Sequence, residues 1–96
     1  MLVIDRLIRD IDEKASPLAV GLDPLIRSIP AFIGRQALSE FGNTRRAAAE
    51  ALFRFNEALL NATYPYIPAV KLQMACYELY GAEGIDTFRR TVELAT

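Results

Sequence analysis

The residue with the clearest chemical potential in this sequence is a lysine set in an apolar run. Lys71 stands in Ala69-Val70-Lys71-Leu72-Gln73-Met74-Ala75-Cys76. That stretch reads as a buried strand, where an ammonium is costly unless it is paired or used. The alternative is an edge strand with Lys71 facing water, where lysine discourages edge-to-edge pairing. Asp23 is the second candidate. It follows the apolar run Leu18-Ala19-Val20-Gly21-Leu22 and precedes Pro24. Asp-Pro in that place can be a helix N-cap with proline at the first helical position. It can equally be a carboxylate at a strand end, and the two readings can coexist. Gln73 lies two residues past Lys71, so it can hydrogen-bond a ligand or satisfy the lysine. Tyr77, Glu78 and Tyr80 come just after the strand, within reach of a loop ligand, and are read as loop packing and solvated surface. Asn56 reads as a polar residue on the outer side of a helix, Gly21 as a site of close backbone approach, and Cys76 as a small core residue.

Several chemistries are excluded. The sequence contains no histidine, which removes imidazole acid–base catalysis and most zinc sites. Cys76 is the only cysteine, so no internal disulfide can form and a reducing, cytoplasmic location is expected. No metal-ligand cluster and no glycine-rich phosphate loop is present in these residues. The net charge is −1 with both signs interspersed; without a basic stripe, nucleic acid is not an expected partner. The N-terminus reaches Asp5 at once and lacks the basic and apolar regions of a signal peptide. No apolar run approaches the roughly 20 residues of a membrane span, so no membrane partner is expected.

The remaining residues must form the elements that hold these groups. The chain has 96 residues, 52% hydrophobic and 24% charged, the composition of one globular domain at most. Ile4, Leu7, Ile8 and Ile11 recur at helical spacing, predicting an amphipathic helix over 2–14 that Ser16-Pro17 ends. A strand is predicted over 18–22. Residues 24–42 are punctuated by Pro30 and Gly34, so a long loop with short helical turns is expected, with one helix near 36–40. Ala48, Ala51, Leu52, Phe55, Leu59 and Ala62 predict a helix over 44–63, capped by Asn43 or Thr44. A second strand is predicted over 69–76. Gly81 and Gly84 mark a turn, and Ile85, Phe88 and Val92 predict a helix over 84–95.

Strands alternating with long helices imply a parallel sheet. Each strand has one large apolar face, with Leu18, Val20 and Leu22 in the first and Val70, Leu72, Met74 and Cys76 in the second. The opposite faces carry Ala19, Gly21 and Asp23, and Ala69, Lys71, Gln73 and Ala75. A closed barrel explains that split, with large residues outward against helices and polar ones toward the barrel mouth. A sheet of two parallel strands leaves both edges unpaired. The last helix also reaches Thr96 with no glycine or proline after it. The expectation is a piece of something larger.

These residues resemble a known family. Val20-Gly21-Leu22-Asp23-Pro24 is similar to the first-strand motif of the longer, bacterial-type orotidine 5'-phosphate decarboxylases. Ala69-Val70-Lys71-Leu72-Gln73-Met74-Ala75-Cys76-Tyr77-Glu78 resembles their second strand. Phe55-Asn56 and Tyr80-Gly81-Ala82-Glu83-Gly84 also fit, in the same order and spacing. Leu72 departs from the pattern, since many relatives carry proline there. The family's Asp-x-Lys-x-x-Asp motif on the third strand, and its late phosphate-gripping loops, are not among these residues.

The resemblance implies an α/β fold: the N-terminal portion of a (β/α)8 TIM barrel, made of a helix plus about two βα units. It implies a cofactor-free carboxy-lyase that converts orotidine 5'-phosphate to uridine 5'-phosphate and CO2, homodimeric when full length. Asp23 would hydrogen-bond the substrate ribose, Lys71 would open an alternating lysine–aspartate network, and Gln73 would join the substrate contacts. The 96 residues alone would be inactive, because the proton-donating lysine and the phosphate loops lie elsewhere. Two other readings stand beside this one. One is another phosphate-sugar barrel enzyme, an aldolase or isomerase with a strand-two lysine. The other is a small non-catalytic α/β module.

Overall fold

A computed structural model describes residues 2–96. Its elements in order are α1 (Val3–Lys14), β1 (Ala19–Leu22), a 3-10 turn (Ile26–Ser28), α2 (Ala31–Phe41), α3 (Arg45–Thr63), a second 3-10 turn (Tyr64–Tyr66), β2 (Ala69–Leu72), α4 (Met74–Glu78) and α5 (Gly81–Ala95). The protein is thus a helix-rich α/β structure around a two-stranded parallel sheet. The strands run in register, with Ala19 opposite Ala69, Val20 opposite Val70, Gly21 opposite Lys71 and Leu22 opposite Leu72.

Local sequence accounts for most element ends. Thr44 caps α3: its hydroxyl oxygen accepts from the Ala47 N–H at 3.1 Å, satisfying one of the free donors of the first turn. Pro65 ends that helix in the second 3-10 turn. Ala15 closes α1 in the left-handed conformation at φ 52°, and its N–H bonds back to Asp12. Residues 24–42 are more regular than expected, because α2 runs for eleven residues between its caps Pro30 and Gly42, past Gly34.

Strand two is shorter than the alternation of residues 69–76 predicts. It ends at Leu72, and Met74-Ala75-Cys76 belongs to α4. The physical reason is the loss of a pairing partner. β1 stops at Leu22, just before Asp23-Pro24, so nothing continues the ladder. The next donor, the Gln73 N–H, bonds instead to the Asp23 carboxylate. Met74 and Cys76 therefore do not share a strand face with Val70 and Leu72.

Two cores hold the helices. Ile33 and Ala37 of α2 pack on Ala47 and Ala51 of α3, with Ile29, Phe41 and Phe55 partly buried around them. The second core lies where α3 meets α5, and it corrects the stripe expected there. Ile85 and Val92 are substantially exposed, and the buried residues of α5 are Gly84, Thr87 and Thr91. Small side chains let α5 come close to α3, where the Thr87 hydroxyl donates to the Ala49 carbonyl. Arg90 also bridges the two helices, pairing with Glu50 at 3.0 Å and lying 3.9 Å from the centre of the Phe53 ring.

Large apolar surfaces remain open. α1 buries no residue, and its Val3, Ile4 and Ile8 face outward. Its last turn is held by Lys14, whose ammonium donates to the backbone oxygens of Tyr64 and Ile67. The accessible surface is 6318 Å², against about 5500 Å² for a compact protein of this mass. The radius of gyration is 14.6 Å, against about 12.5 Å for a compact domain of this length.

Candidate functional site

The strand ends bring the three candidate residues together. Lys71 lies directly across the sheet from Gly21, and its side chain is exposed. Asp23 follows β1, and its Oδ1 accepts the Gln73 backbone N–H at 3.0 Å. The other carboxylate oxygen folds back over Gly21, so that a Cβ placed there would lie 3.2 Å from it. Glycine thus leaves room for the carboxylate on the same sheet face as Lys71. That face carries a cation and an anion on adjacent parallel strands, past whose carboxyl ends Asp23 and Gln73 sit.

Two sequence expectations change here. Asp23 is not a helix N-cap: the following 3-10 turn is preceded by Leu25 and has no side-chain cap. Its carboxylate ties the two strand ends instead. Gln73 is not an inward-facing strand residue. It precedes α4 as the N-cap position without a side-chain cap bond, and its backbone N–H makes the contact to Asp23 while its side chain is exposed. Lys71 belongs to no ion pair among the described residues.

Behind this open face lies a buried polar knot that the sequence reading placed on the surface. Asn56 and Tyr77 are both 0% exposed. The Asn56 Nδ2 donates to the Tyr77 hydroxyl at 3.0 Å and to Thr91 Oγ1 at 3.1 Å. Tyr77 donates onward to the Leu22 carbonyl at 2.6 Å, and Thr91 to the Thr87 carbonyl at 2.7 Å. Thr87 donates to the Ala49 carbonyl at 2.9 Å. The orientation of the Asn56 amide follows from this. Each hydroxyl has one proton and spends it on a carbonyl, so each can only accept from Asn56, which must present its NH2 group. Asn56 Oδ1 is left buried with no partner. Burial, more than anything else, pushes the Tyr77 hydroxyl up to about 12; the Asn56 hydrogen bond opposes that shift, and the charges of Cys76 and Asp23 add to it.

Signals for this knot were present in the chain. Asn56 continues the row Ala49, Leu52, Asn56, Leu60 at spacings of three and four, all of them buried. Gly84, Thr87 and Thr91 repeat the same spacing on α5. A polar or small residue on a helical stripe marks a close, hydrogen-bonded contact as well as an apolar one does. Cys76 is half-buried on α4.

Clefts elsewhere do not include the candidate residues. One of about 340 Å³ lies between α3 and α5, lined by Arg46, Glu50, Glu83, Asp86 and Arg90 among others. No group of three or more His, Cys, Asp or Glu among the described residues could hold a metal ion. No described helix is long and apolar enough to cross a membrane.

Comparison with known proteins gives one consistent answer. Over 92 residues the chain is 33% identical to an orotidine 5'-phosphate decarboxylase of Petrotoga mobilis, covering 96% of this chain and 29% of that protein. It is 32% identical over 93 residues to the enzyme of the same name from Clostridium novyi, covering 97% and 29%. With that of Parabacteroides distasonis it shares 37% over 87 residues, covering 91% and 27%. The chain thus spans under a third of the length of the curated relatives it matches. No family model matches, and no solved structure does. The resemblance carried by the two strand motifs extends to nearly the whole chain, as a match to an N-terminal portion of these decarboxylases.

Proposed function

We propose that this chain forms the first two βα units of a (β/α)8 barrel that decarboxylates orotidine 5'-phosphate to uridine 5'-phosphate. The observation that carries the reading is the placement of Asp23 and Lys71 on one open face at the carboxyl ends of adjacent parallel strands. Barrel enzymes build their sites at that end. The similarity to decarboxylases over almost the whole chain supports it, as do the surplus of exposed surface and the extended shape.

Each residue then has a task. Asp23, held by the Gln73 N–H, presents its remaining acceptor capacity to the substrate ribose. Lys71 contributes a fixed positive charge to a lysine–aspartate array completed by the third strand. Gln73 lies beside both. The reaction breaks the bond between C6 and its carboxylate, releases CO2, leaves the electron pair on C6 and fills it with a proton from a third-strand lysine. Fixed charges aimed at the transition state supply the rate, because they need no reorganisation as the reaction proceeds. No cofactor enters this scheme. A homodimer in the cytoplasm is the state in which we place the complete enzyme.

The test is decarboxylation by the complete polypeptide and by the 96-residue chain, followed by loss of orotidine 5'-phosphate absorbance. The complete enzyme should turn over, and Lys71→Met should lower its kcat by about a hundredfold to a thousandfold. The 96-residue chain should show no turnover above the buffer blank. Unchanged kcat in Lys71→Met would remove Lys71 from the site. Trapping of Lys71 by borohydride with a carbonyl substrate would replace the reading with a Schiff-base aldolase or isomerase.

A further inference from the structure

The buried knot reaches the open face at one point, the carbonyl of Leu22. That residue is the last of β1 and the immediate neighbour of Asp23. We propose that Tyr77 is a positioning residue for Asp23: its hydroxyl, gripping the Leu22 carbonyl, sets where the Asp23 carboxylate stands. The inference rests on the reading of Asp23 as a substrate-binding carboxylate and adds to it a residue from a different element.

Tyr77 is suited to the task because it is fixed on every side. Its hydroxyl donates to the Leu22 carbonyl at 2.6 Å and accepts from Asn56 at 3.0 Å. Its ring meets Phe88 edge-on, with centroids 5.3 Å apart. Its own carbonyl is pressed against Gly84, where a Cβ would lie only 1.9 Å away. The side chain is fully buried, so water cannot replace the bond to Leu22. Asp23 has no comparable support of its own. It is exposed, and its side-chain bond goes to the Gln73 N–H, one residue past β2. The backbone just before it is therefore held by Tyr77 and its carboxylate by Gln73. Losing the first hold frees the second to drift, while Lys71, on the other strand, stays where it is.

The experiment is a mutant cycle in the complete decarboxylase, with KM and kcat read separately. Tyr77→Phe keeps the ring and removes the hydroxyl. It should raise KM about tenfold in the wild-type background and leave KM unchanged once Asp23→Ala is present, because residues acting through one another are not additive. Thr91→Val breaks the same buried knot on its far side; it should lower the melting temperature and leave KM alone. If Tyr77→Phe folds poorly, Tyr77→Phe with Asn56→Leu also removes the amide that would otherwise be left without its acceptor, and should show the same KM effect. A KM unchanged by Tyr77→Phe, or an equal KM effect with and without Asp23, would overturn the positioning role. A wild-type KM in Asp23→Ala alone would instead overturn the role of Asp23 on which it rests, and absence of decarboxylation in the wild type would overturn the proposed function.

Discussion

The protein carries two polar regions, one open and one sealed, and they obey different rules. At the strand ends Lys71, Asp23 and Gln73 are exposed, and their positions are fixed by few bonds. Between α3, α4 and α5, the residues Asn56, Tyr77, Thr87 and Thr91 are buried, and their donors are matched one to one with acceptors. A polar group in water costs little to change, whereas a buried one must be matched or its desolvation is unrecovered. The open region is therefore where chemistry can be altered with little cost to the fold. The sealed one is where a single atom decides whether the helices hold.

The sharpest way to break the comparison is Asn56→Asp, which alters almost nothing in shape. Both hydroxyls facing Asn56 have already donated their protons, so a carboxylate there would meet only acceptors. The expected loss is about 3–5 kcal/mol at neutral pH, the scale of an uncompensated buried charge. Burial raises the folded-state carboxyl above its unfolded value, so the stabilising contribution of the protonated form survives at low pH and disappears as pH rises. Urea melts at pH 4 and pH 7 should show the variant losing stability across that interval relative to the parent. Equal stability at both would mean that the knot admits water.

Gly84→Ala should come next. The added methyl would lie 1.9 Å from the Tyr77 carbonyl oxygen, a backbone atom that cannot step aside. Overpacking costs about 1–3 kcal/mol, and contact with backbone puts this case at the upper end. A loss below about 0.5 kcal/mol in a chemical melt, the range of ordinary surface changes, would show that α5 shifts freely over α4. Gly84 was legible only as punctuation in the sequence, since a glycine near another glycine suggests a turn. Gly81 does adopt φ 67°, but Gly84 sits inside α5 because of a contact with a residue outside that helix.

That contrast recurs across the chain. The stripe expected along α3 holds at Ala51 and Leu52, but Ala62 is exposed while Ala47, Ala49, Asn56 and Leu60 are buried. Local signals located what local physics controls: the helix α3 itself and its cap, expected at Asn43 or Thr44 and made by Thr44. They failed where the deciding partner is distant. The alternation of residues 69–76 continues past Leu72, but the ladder cannot, because β1 ends first. Asn56 reads as a surface residue because its partners stand 21 and 35 residues away. Asp23 and Lys71 could be picked out because charge beside an apolar strand is conspicuous. Their juxtaposition follows from parallel pairing in register, which places Gly21 beside Lys71.

Alkali gives a third, graded test. The Tyr77 hydroxyl is pushed up to about 12 from 10.0. A raised folded-state value means that the stabilisation is complete below pH 10, where Tyr77 is protonated folded or unfolded. As pH climbs from 10 to 12 the unfolded tyrosine ionises first, and about 2–3 kcal/mol is lost. Burial raises the Tyr80 hydroxyl as well, so tyrosinate absorbance should show late titration, and Tyr77→Phe should lack the component that titrates together with unfolding. Titration of all four tyrosines near 10 in a folded protein would show that the hydroxyl is hydrated.

The smallest expected effect is the counterpart of these on the open face. A lysine embedded in an apolar strand suggests a buried charge, and on that basis Lys71→Met would stabilise the chain by removing an unpaired cation. The exposure of Lys71 removes the premise. Its ammonium is solvated, so deleting the charge recovers no desolvation energy, and no ion pair is lost. Methionine keeps most of the apolar stem beside Gly21, so packing changes little as well. The stability of the 96-residue chain should therefore move by less than about 0.5 kcal/mol, the range of surface substitutions away from special features. Parallel urea melts of parent and variant measure this directly. A gain above about 1 kcal/mol would show a desolvated ammonium, and the division between an open, alterable region and a sealed, unforgiving one would fail at the residue that best represents the first. A null result, set beside a large loss of kcat for the same substitution in the complete enzyme, would show that Lys71 serves the reaction and not the fold.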